Sequence, residues 1–273
     1  MSEILVLGAT GKTGRRVVRR LREDGHRVRA ASRSGEVRFD WTDRDTWKPA
    51  LSGVNAVYLV APDDPGPVSD FVAMAPAVRY VVLSGRGLDK VGPDFGAGMA
   101  AAEQEVRKSG AEWTILRANN FNQNFDEDLW LEPLRAGRLA LPIGETPEPF
   151  IDVEDVADVA AEVLARGGHG GLVYDLSGPR GLSFREAVEI MAGAAGRSID
   201  YVELTPEAYR AELAASGYPE AAIAALDALF ALHRAGHTAV PADGVSRVLG
   251  REPRPFEEYA KRVAASGVWS GTP

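Results

Sequence analysis

In the stretch Ile4-Leu5-Val6-Leu7-Gly8-Ala9-Thr10-Gly11-Lys12-Thr13-Gly14, four apolar residues lead into three glycines spaced G-x-x-G-x-x-G. The apolar run is typical of a buried strand, and Val17, Val18 and Leu21 then recur on one face of a helix over residues 12–23. Glycine lets the backbone turn tightly and lets a pyrophosphate come close, and the following helix offers unpaired N–H donors at its N-terminus. The motif therefore predicts a dinucleotide-binding turn, with a plain strand-to-helix turn as the alternative.

Most residues of this turn are expected to contact the cofactor. They are Gly8, Thr10, Gly11, Lys12, Thr13 and Gly14. The spacing does not match the G-x-x-x-x-G-K-[ST] loop of nucleoside triphosphatases, so we exclude that class.

Strand-like runs alternate with helical segments through the first 120 residues. The later runs cover 27–31, 37–40, 56–60, 80–83 and 113–116. This alternation indicates βαβ units and a parallel sheet covered on both faces. We predict an α/β fold: a Rossmann-type, doubly wound parallel sheet over residues 1–150, completed by residues 151–177, and a smaller, mostly helical substrate-binding part over residues 178–273.

The end of the second strand indicates which dinucleotide binds. Sites that prefer NAD place an acidic residue there for the ribose hydroxyls, whereas a 2′-phosphate needs a cation and small donors. Here the strand ends Ala31-Ser32-Arg33-Ser34, without an acid. Arg33 can make a two-pronged contact with phosphate. We therefore predict NADP(H), bound by Ser32 and Arg33; a solvated surface arginine is the alternative.

Further cofactor contacts are expected where later strands end, because open α/β sheets bind ligands at the carboxyl ends of their strands. The candidates are the pairs Asp40-Trp41, Ala61-Pro62 and Ser84-Gly85. For each pair, ordinary loop chemistry is the alternative.

The segment after the sixth strand combines amides with aromatic rings, which favours a substrate pocket near the sheet. The predicted pocket residues are Asn119, Asn120, Phe121, Asn124, Phe125 and Phe150. Capping of loops by the asparagine side chains is the alternative.

The usual catalytic motifs are missing. None of the seven tyrosines is followed four residues later by a lysine, and there is no G-x-S-x-G elbow. Ser84 and Asn120 remain as catalytic candidates. His233 and His237 lie four residues apart but have no third ligand nearby, so we expect no metal site.

Composition narrows the class of partner. The 273 residues carry a formal net charge of −8, which argues against nucleic acid and against an anionic membrane surface. Cysteine is absent, which excludes disulfides and thiol nucleophiles. No apolar run is long enough to span a bilayer, and a strand begins at once without a signal peptide. We expect a cytoplasmic monomer or homodimer that acts on a small molecule.

Taken together, the motifs resemble the NmrA-like group of atypical short-chain dehydrogenase/reductases over nearly the whole chain. Besides the glycine turn, the resemblance rests on Ser84-Gly85, Glu103, the run Ser109-Gly110-Ala111-Glu112-Trp113-Thr114-Ile115-Leu116-Arg117 and the run Pro149-Phe150-Ile151-Asp152-Val153-Glu154-Asp155-Val156-Ala157.

Within that group, three short segments are similar to the festuclavine and agroclavine dehydrogenases. They are Gly11-Lys12-Thr13, Ala31-Ser32-Arg33-Ser34 and Phe39-Asp40-Trp41. The resemblance implies an enzyme that uses NADPH to reduce an iminium carbon.

Two departures from the group matter. Many members carry a lysine four residues before the position of Glu103, where this chain has Met99, and the usual Arg-Pro is Arg117-Ala118. Reduction of an iminium ion still needs no acid from the protein.

Two functions therefore remain open. The first is an NADPH-dependent reductase that transfers hydride to a small imine, iminium, quinone or enone. The second is a redox sensor that binds NADP(H) without turnover and regulates a partner, as some members of the group do.

Overall fold

The computed structural model describes residues 3–90, 92 and 95–270. Its strands are Glu3–Leu7 (β1), Arg27–Ser32 (β2), Val37–Arg38 (β3), Ala56–Val60 (β4), Arg79–Gly85 (β5), Trp113–Ala118 (β6), Arg138–Leu141 (β7), Leu172–Leu176 (β8) and Asp200–Glu203 (β9). Seven of them form a parallel sheet in the order β3-β2-β1-β4-β5-β6-β8. The strands β2 and β3 are added on one side of β1 and β4 to β8 on the other, so the strand order reverses between β1 and β4. The predicted doubly wound, Rossmann-type sheet is confirmed.

Helices follow most of the strands. Their bounds are Lys12–Glu23 (α1), Trp47–Leu51 (α2), Val68–Ala73 (α3), Ala97–Lys108 (α4), Leu131–Arg135 (α5), Val153–Ala165 (α6), Phe184–Ala195 (α7), Pro206–Ala215 (α8), Glu220–Arg234 (α9), Gly244–Leu249 (α10) and Phe256–Ala265 (α11). None of the described helices is long and apolar enough to cross a membrane.

Both faces of the sheet are buried, because successive side chains of a strand point to opposite faces. In β1, Ile4 and Val6 pack with α1 and α6, whereas Leu5 and Leu7 join the core that α2, α3 and α4 cover. This layering explains why the strands read as continuous apolar runs.

A second core lies outside the sheet. The short strands β7 and β9 pair in parallel, and α5, α7, α8, α9 and α11 pack around an aromatic cluster centred on Phe125, Phe150 and Phe184. Residues 125–150 thus pack with the C-terminal part, although the boundary predicted at residue 150 assigns them to the N-terminal domain. The strand β7 and its pairing were not predicted, because its four residues show no clear alternation.

Polar contacts join the two cores through residues 119–130. The carboxylate of Asp152, fully buried, accepts a hydrogen bond from Gln123 Nε2 at 2.9 Å and pairs with Arg262 at 2.7 Å. The indole N–H of Trp269 donates to the Phe125 carbonyl at 2.8 Å. Contacts with the C-terminal helix and tail therefore hold this segment beside the sheet.

Asp126, at the junction of the two cores, makes the free energy of unfolding depend on pH. Its carboxylate accepts a hydrogen bond from the Tyr259 hydroxyl at 2.6 Å, and burial raises the pKa of Asp126 to about 6. Between about pH 4 and 6 the folded protein therefore holds a proton that the unfolded chain has released, so the free energy of unfolding falls as pH rises through this window.

We expect Asp126→Asn to remove that loss, because asparagine does not ionise. Above about pH 6 the variant is expected to be more stable than wild type by up to about 3 kcal/mol, and the two are expected to converge near pH 4. Urea unfolding at several pH values measures this. The exposed Asp45→Asn serves as control, and an unchanged pH dependence in Asp126→Asn would contradict the prediction.

Candidate functional site

The glycine turn brings α1 against the end of β1. Gly8 has a φ of +63°, and its carbonyl accepts a hydrogen bond from the Gly11 N–H at 2.8 Å. A Cβ added to Gly14 would overlap the Gly8 carbonyl. Gly11 caps α1 without a side-chain hydrogen bond, and the first turn carries no acidic residue. The N–H donors of this turn can therefore receive an anion, as a pyrophosphate site requires.

A cleft of about 650 Å³ opens beside this turn, at the carboxyl ends of the strands on either side of the point where the strand order reverses. It brings together most of the predicted cofactor residues: Gly8, Thr10, Gly11, Lys12, Thr13, Ser32, Arg33, Asp40, Trp41, Ala61 and Pro62. Gly14 packs behind the turn, and Ser84 and Gly85 line a neighbouring pocket instead.

Arg33 lines the cleft directly after the end of β2. Its side chain is exposed and makes no hydrogen bond or ion pair with any other residue that the structure describes. Nearby, the Thr42 backbone N–H and hydroxyl donate to Asp40 and lower the pKa of that carboxyl. The chemistry here, a guanidinium free to bind and no acid on β2, fits a 2′-phosphate.

Trp41 combines a packing role with its place in the cleft. Its indole N–H donates to the Val60 carbonyl at 3.2 Å, and its ring packs edge-on against Phe39, Trp47 and Phe71. The ring is therefore held rigidly at the cleft wall.

A second pocket, of about 290 Å³, adjoins the cleft and shares Lys12, Leu83 and Phe121 with it. The predicted residues Asn119, Asn120, Phe121 and Asn124 line this pocket. Lys12, Ser84 and Gly85, which the sequence analysis assigned to the cofactor, also line it. Its remaining lining residues are Leu83, Arg86, Phe95, Met99, Ala118, Glu148, Leu229, Leu232, His233 and Thr238.

Phe125 and Phe150 do not line the pocket. Both are buried in the second core, with their ring centroids 5.3 Å apart and both rings against Phe184. The prediction that they line the substrate pocket is corrected here: the rings of the shared aromatic cluster cover both side chains and leave them buried away from the pocket.

Ser84 is tied to a buried carboxylate. Its hydroxyl donates to Glu103 Oε1 at 2.7 Å, and Arg117 makes a two-pronged contact with the same carboxylate at 2.8 and 2.6 Å. Burial opposes ionisation, but the hydrogen bonds from Arg117 and Ser84 outweigh it and keep the pKa of Glu103 below its usual value. Because its proton is committed, Ser84 offers the pocket only an acceptor oxygen.

Glu148 and His233 form a buried pair in the pocket wall. From the sequence, His233 was weighed only as a metal ligand, and Glu148 and the pairing were missed. Glu148 accepts hydrogen bonds from the Asn119 side chain at 2.7 Å, the Asn120 backbone N–H at 3.0 Å and His233 Nδ1 at 2.9 Å. His233 Nε2 lies 3.1 Å from the Thr146 carbonyl, so both ring nitrogens face acceptors. The two residues are 85 positions apart, and only an acid between prolines, Pro147-Glu148-Pro149, marks the place in the sequence.

The chain is similar to known proteins over almost its full length. A family model described as NAD(P)H-binding matches residues 8–166. The relatives include the (4-alkanoyl-5-oxo-2,5-dihydrofuran-3-yl)methyl phosphate reductase of Streptomyces griseus, 34% identical over 96% of this chain and 98% of that one. The NAD(P)H azoreductase of Xenophilus azovorans is 32% identical over 96% and 98%, and festuclavine synthase II of Penicillium roqueforti is 30% identical over 98% and 99%.

Solved structures share the fold. The NADPH-dependent quinone oxidoreductase of Escherichia coli, complexed with NADPH, superposes with a TM-score of 0.78 at 19% identity over 95% of this chain and 99% of that one. NmrA, a negative transcriptional regulator in complex with NADP, gives 0.75 at 18% identity over 97% and 96%. The chain belongs to the NAD(P)H-binding family and shares the fold of NmrA. The predictions of a nicotinamide cofactor and of the oxidoreductase class are confirmed.

Gly14→Ala tests the close approach in the glycine turn. Because its methyl group would overlap the Gly8 carbonyl, we expect a loss of about 1–3 kcal/mol in stability and loss of NADPH binding. Thermal unfolding and calorimetric titration with NADPH measure the two effects. Gly193→Ala, on the exposed face of α7 with nothing within 4 Å, is the control and is expected to bind as wild type does. Wild-type affinity in Gly14→Ala would refute the assigned geometry.

Proposed function

We propose that the protein is an NADPH-dependent reductase that transfers hydride to a small, largely apolar, unsaturated organic acceptor: an imine or iminium, a quinone or an enone. The observation that carries this proposal is the continuity of the cofactor cleft with the second pocket across Lys12, Leu83 and Phe121. A ligand bound along the cleft from Arg33 would end at the mouth of that pocket.

The cofactor half of the proposal rests on the chain's own donors. The N-terminal turn of α1 would receive the pyrophosphate, Ser32 and Arg33 would hold the 2′-phosphate, and Trp41 with Ala61-Pro62 would form the apolar wall. When bound, the nicotinamide supplies the hydride, and the protein's contribution is to position the reactants and to exclude water.

The acceptor half rests on the composition of the second pocket. Phe95, Met99, Leu229 and Leu232 give it apolar walls suited to a ring system. Asn120 has its backbone held on both sides, by Glu148 and by the Ile151 N–H at 2.9 Å, while its side-chain amide makes no hydrogen bond with any described residue. We assign Asn120 to orienting the polar atom of the acceptor; Ser84, in this proposal, accepts a hydrogen bond and does not donate a proton.

The names of the relatives support the same range of chemistry. They include an azoreductase, a reductase of an unsaturated lactone phosphate and a festuclavine synthase. The names of these relatives give different substrates. The acceptor class proposed for this chain therefore rests on its own pocket and needs a direct test.

Arg33→Ala tests the 2′-phosphate contact. Loss of a charged hydrogen bond is expected to weaken NADPH by about 1.5–3 kcal/mol and to leave NADH nearly unchanged. Calorimetric titration with each cofactor gives the two dissociation constants, and Arg44→Ala, an exposed arginine paired with Asp70, is the control for loss of charge. Equal weakening of both cofactors would refute the contact.

The reductase itself is tested by mixing purified protein and NADPH with cyclic imines, quinones and enones in parallel. We expect NADPH oxidation, followed by absorbance, with at least one class, and the reduced product identified by mass spectrometry. Tight NADPH binding with no oxidation in any class would contradict the proposal.

The same data would then favour the sensor, the second candidate. The observations that favour it are the absence of a Tyr-x-x-x-Lys pair and the commitment of the Ser84 proton to Glu103. A sensor is expected to bind NADP⁺ and NADPH with different affinities or to hold a stable complex with a partner protein.

A further inference from the structure

Most polar side chains in the wall of the second pocket have no proton to give. Ser84 donates to Glu103, Asn119 donates to Glu148 and to the Thr238 carbonyl, and His233 has acceptors at both nitrogens. The guanidinium of Arg86 donates to Asn119 and to the carbonyls of residues 238 and 240, and a guanidinium does not deprotonate in proteins.

The remaining polar side chains of the pocket differ in whether they can donate a proton. Asn120 and Asn124 carry amides and Thr238 a hydroxyl; these groups can hold a hydrogen bond but do not give up a proton near neutral pH. Lys12 carries an ammonium, which can transfer a proton to an oxygen on which negative charge develops. Among the described residues that line the pocket, it is therefore the group left with a proton to transfer.

The position of Lys12 suits that task. Its Nζ lies 2.6 Å from Asn124 Oδ1 and 2.9 Å from Asp128 Oδ2, which uses two of the three N–H donors of an ammonium. The side chain lines both the cofactor cleft and the second pocket, so the third donor is available where the two meet. Asp128 is 63% exposed and connects the ammonium to solvent.

We propose that Lys12 is the proton donor and oxyanion partner for reduction of a neutral acceptor, a quinone or an enone, in this pocket. The inference rests on the proposed reductase function. The acceptor gains a hydride at carbon, with two electrons from the reduced nicotinamide, and the negative charge that develops on its oxygen takes the proton from Lys12 Nζ. The neutral amine then regains a proton from water beside Asp128.

This role is separate from the contact of Lys12 with the cofactor. Its backbone N–H belongs to the first turn of α1, which faces the expected pyrophosphate, whereas two of its three side-chain donors bond to Asn124 and Asp128. Replacing the side chain therefore leaves the backbone donor in place.

Two variants separate charge from proton transfer. Lys12→Met removes both, and Lys12→Arg keeps the charge but holds its proton. For a quinone or enone that wild type reduces, we expect kcat to fall about 100-fold or more in both variants, with the NADPH dissociation constant changed less than about threefold. Lys108→Met, on the exposed face of α4, is the control for loss of a lysine and is expected to behave as wild type.

A second measurement does not depend on turnover. The probe is 4-nitrophenol, whose absorbance distinguishes phenol from phenolate, titrated into each protein in the presence of NADP⁺. Wild type and Lys12→Arg are expected to bind it as phenolate, and Lys12→Met to bind it as phenol or not at all.

The outcomes distinguish the proposals. Full activity in Lys12→Arg would overturn proton donation, and a loss of NADPH affinity that accounts for the whole loss of rate would show that Lys12 serves only the cofactor. If wild type reduces no acceptor, the reductase proposal fails. Phenolate binding that needs the cation at residue 12 would then still support the contact between Lys12 and an oxyanion. If wild type does not bind the phenolate either, that contact is overturned as well.

Discussion

The contact between Gly14 and the Gly8 carbonyl is the constraint on which the site depends. It lets α1 begin directly at the end of β1, so that the N–H donors of its first turn face the cleft. The same helix carries Arg16, which pairs with Glu127 at 2.6 Å and with Glu154 at 2.9 Å. Those two pairs join α1 to the segment 119–130 and to α6, so the helix that this backbone contact places against β1 also positions that segment beside the cleft.

The pocket is held by polar contacts that are themselves buried. Glu148 collects donors from residues 119 and 120 and from α9, and Asp152 collects donors from Gln123 and Arg262. Breaking one partner of such a network leaves a buried group unsatisfied, which costs more than the net gain from forming the bond. Such a network favours a preformed pocket, in which the positioning of reactants does not depend on ordering a loop.

Some polar side chains of the pocket are hydrogen-bonded within the protein, and others are left for a ligand. This difference also explains how a chain without the usual tyrosine and lysine can act as a reductase. Ser84, at the end of β5, donates its proton to Glu103, whose carboxylate Arg117 also holds. The groups available to a ligand are the amide of Asn120 and the ammonium of Lys12. Hydride chemistry belongs to the cofactor, so the protein needs only a shaped apolar space and one or two polar groups where charge develops.

The sequence by itself determined the sheet, the glycine turn and most of the cofactor cleft, because these depend on local features: apolar runs, glycine spacing and the residues that end each strand. The pocket depended on tertiary structure. Phe125 and Phe150 were expected there but pack into the second core, whereas Glu148 and His233 meet across 85 residues and Lys12 reaches the pocket from the first helix. Local patterns record which residues form an element, but contacts between distant elements follow from how the two cores pack, and no short motif encodes that packing.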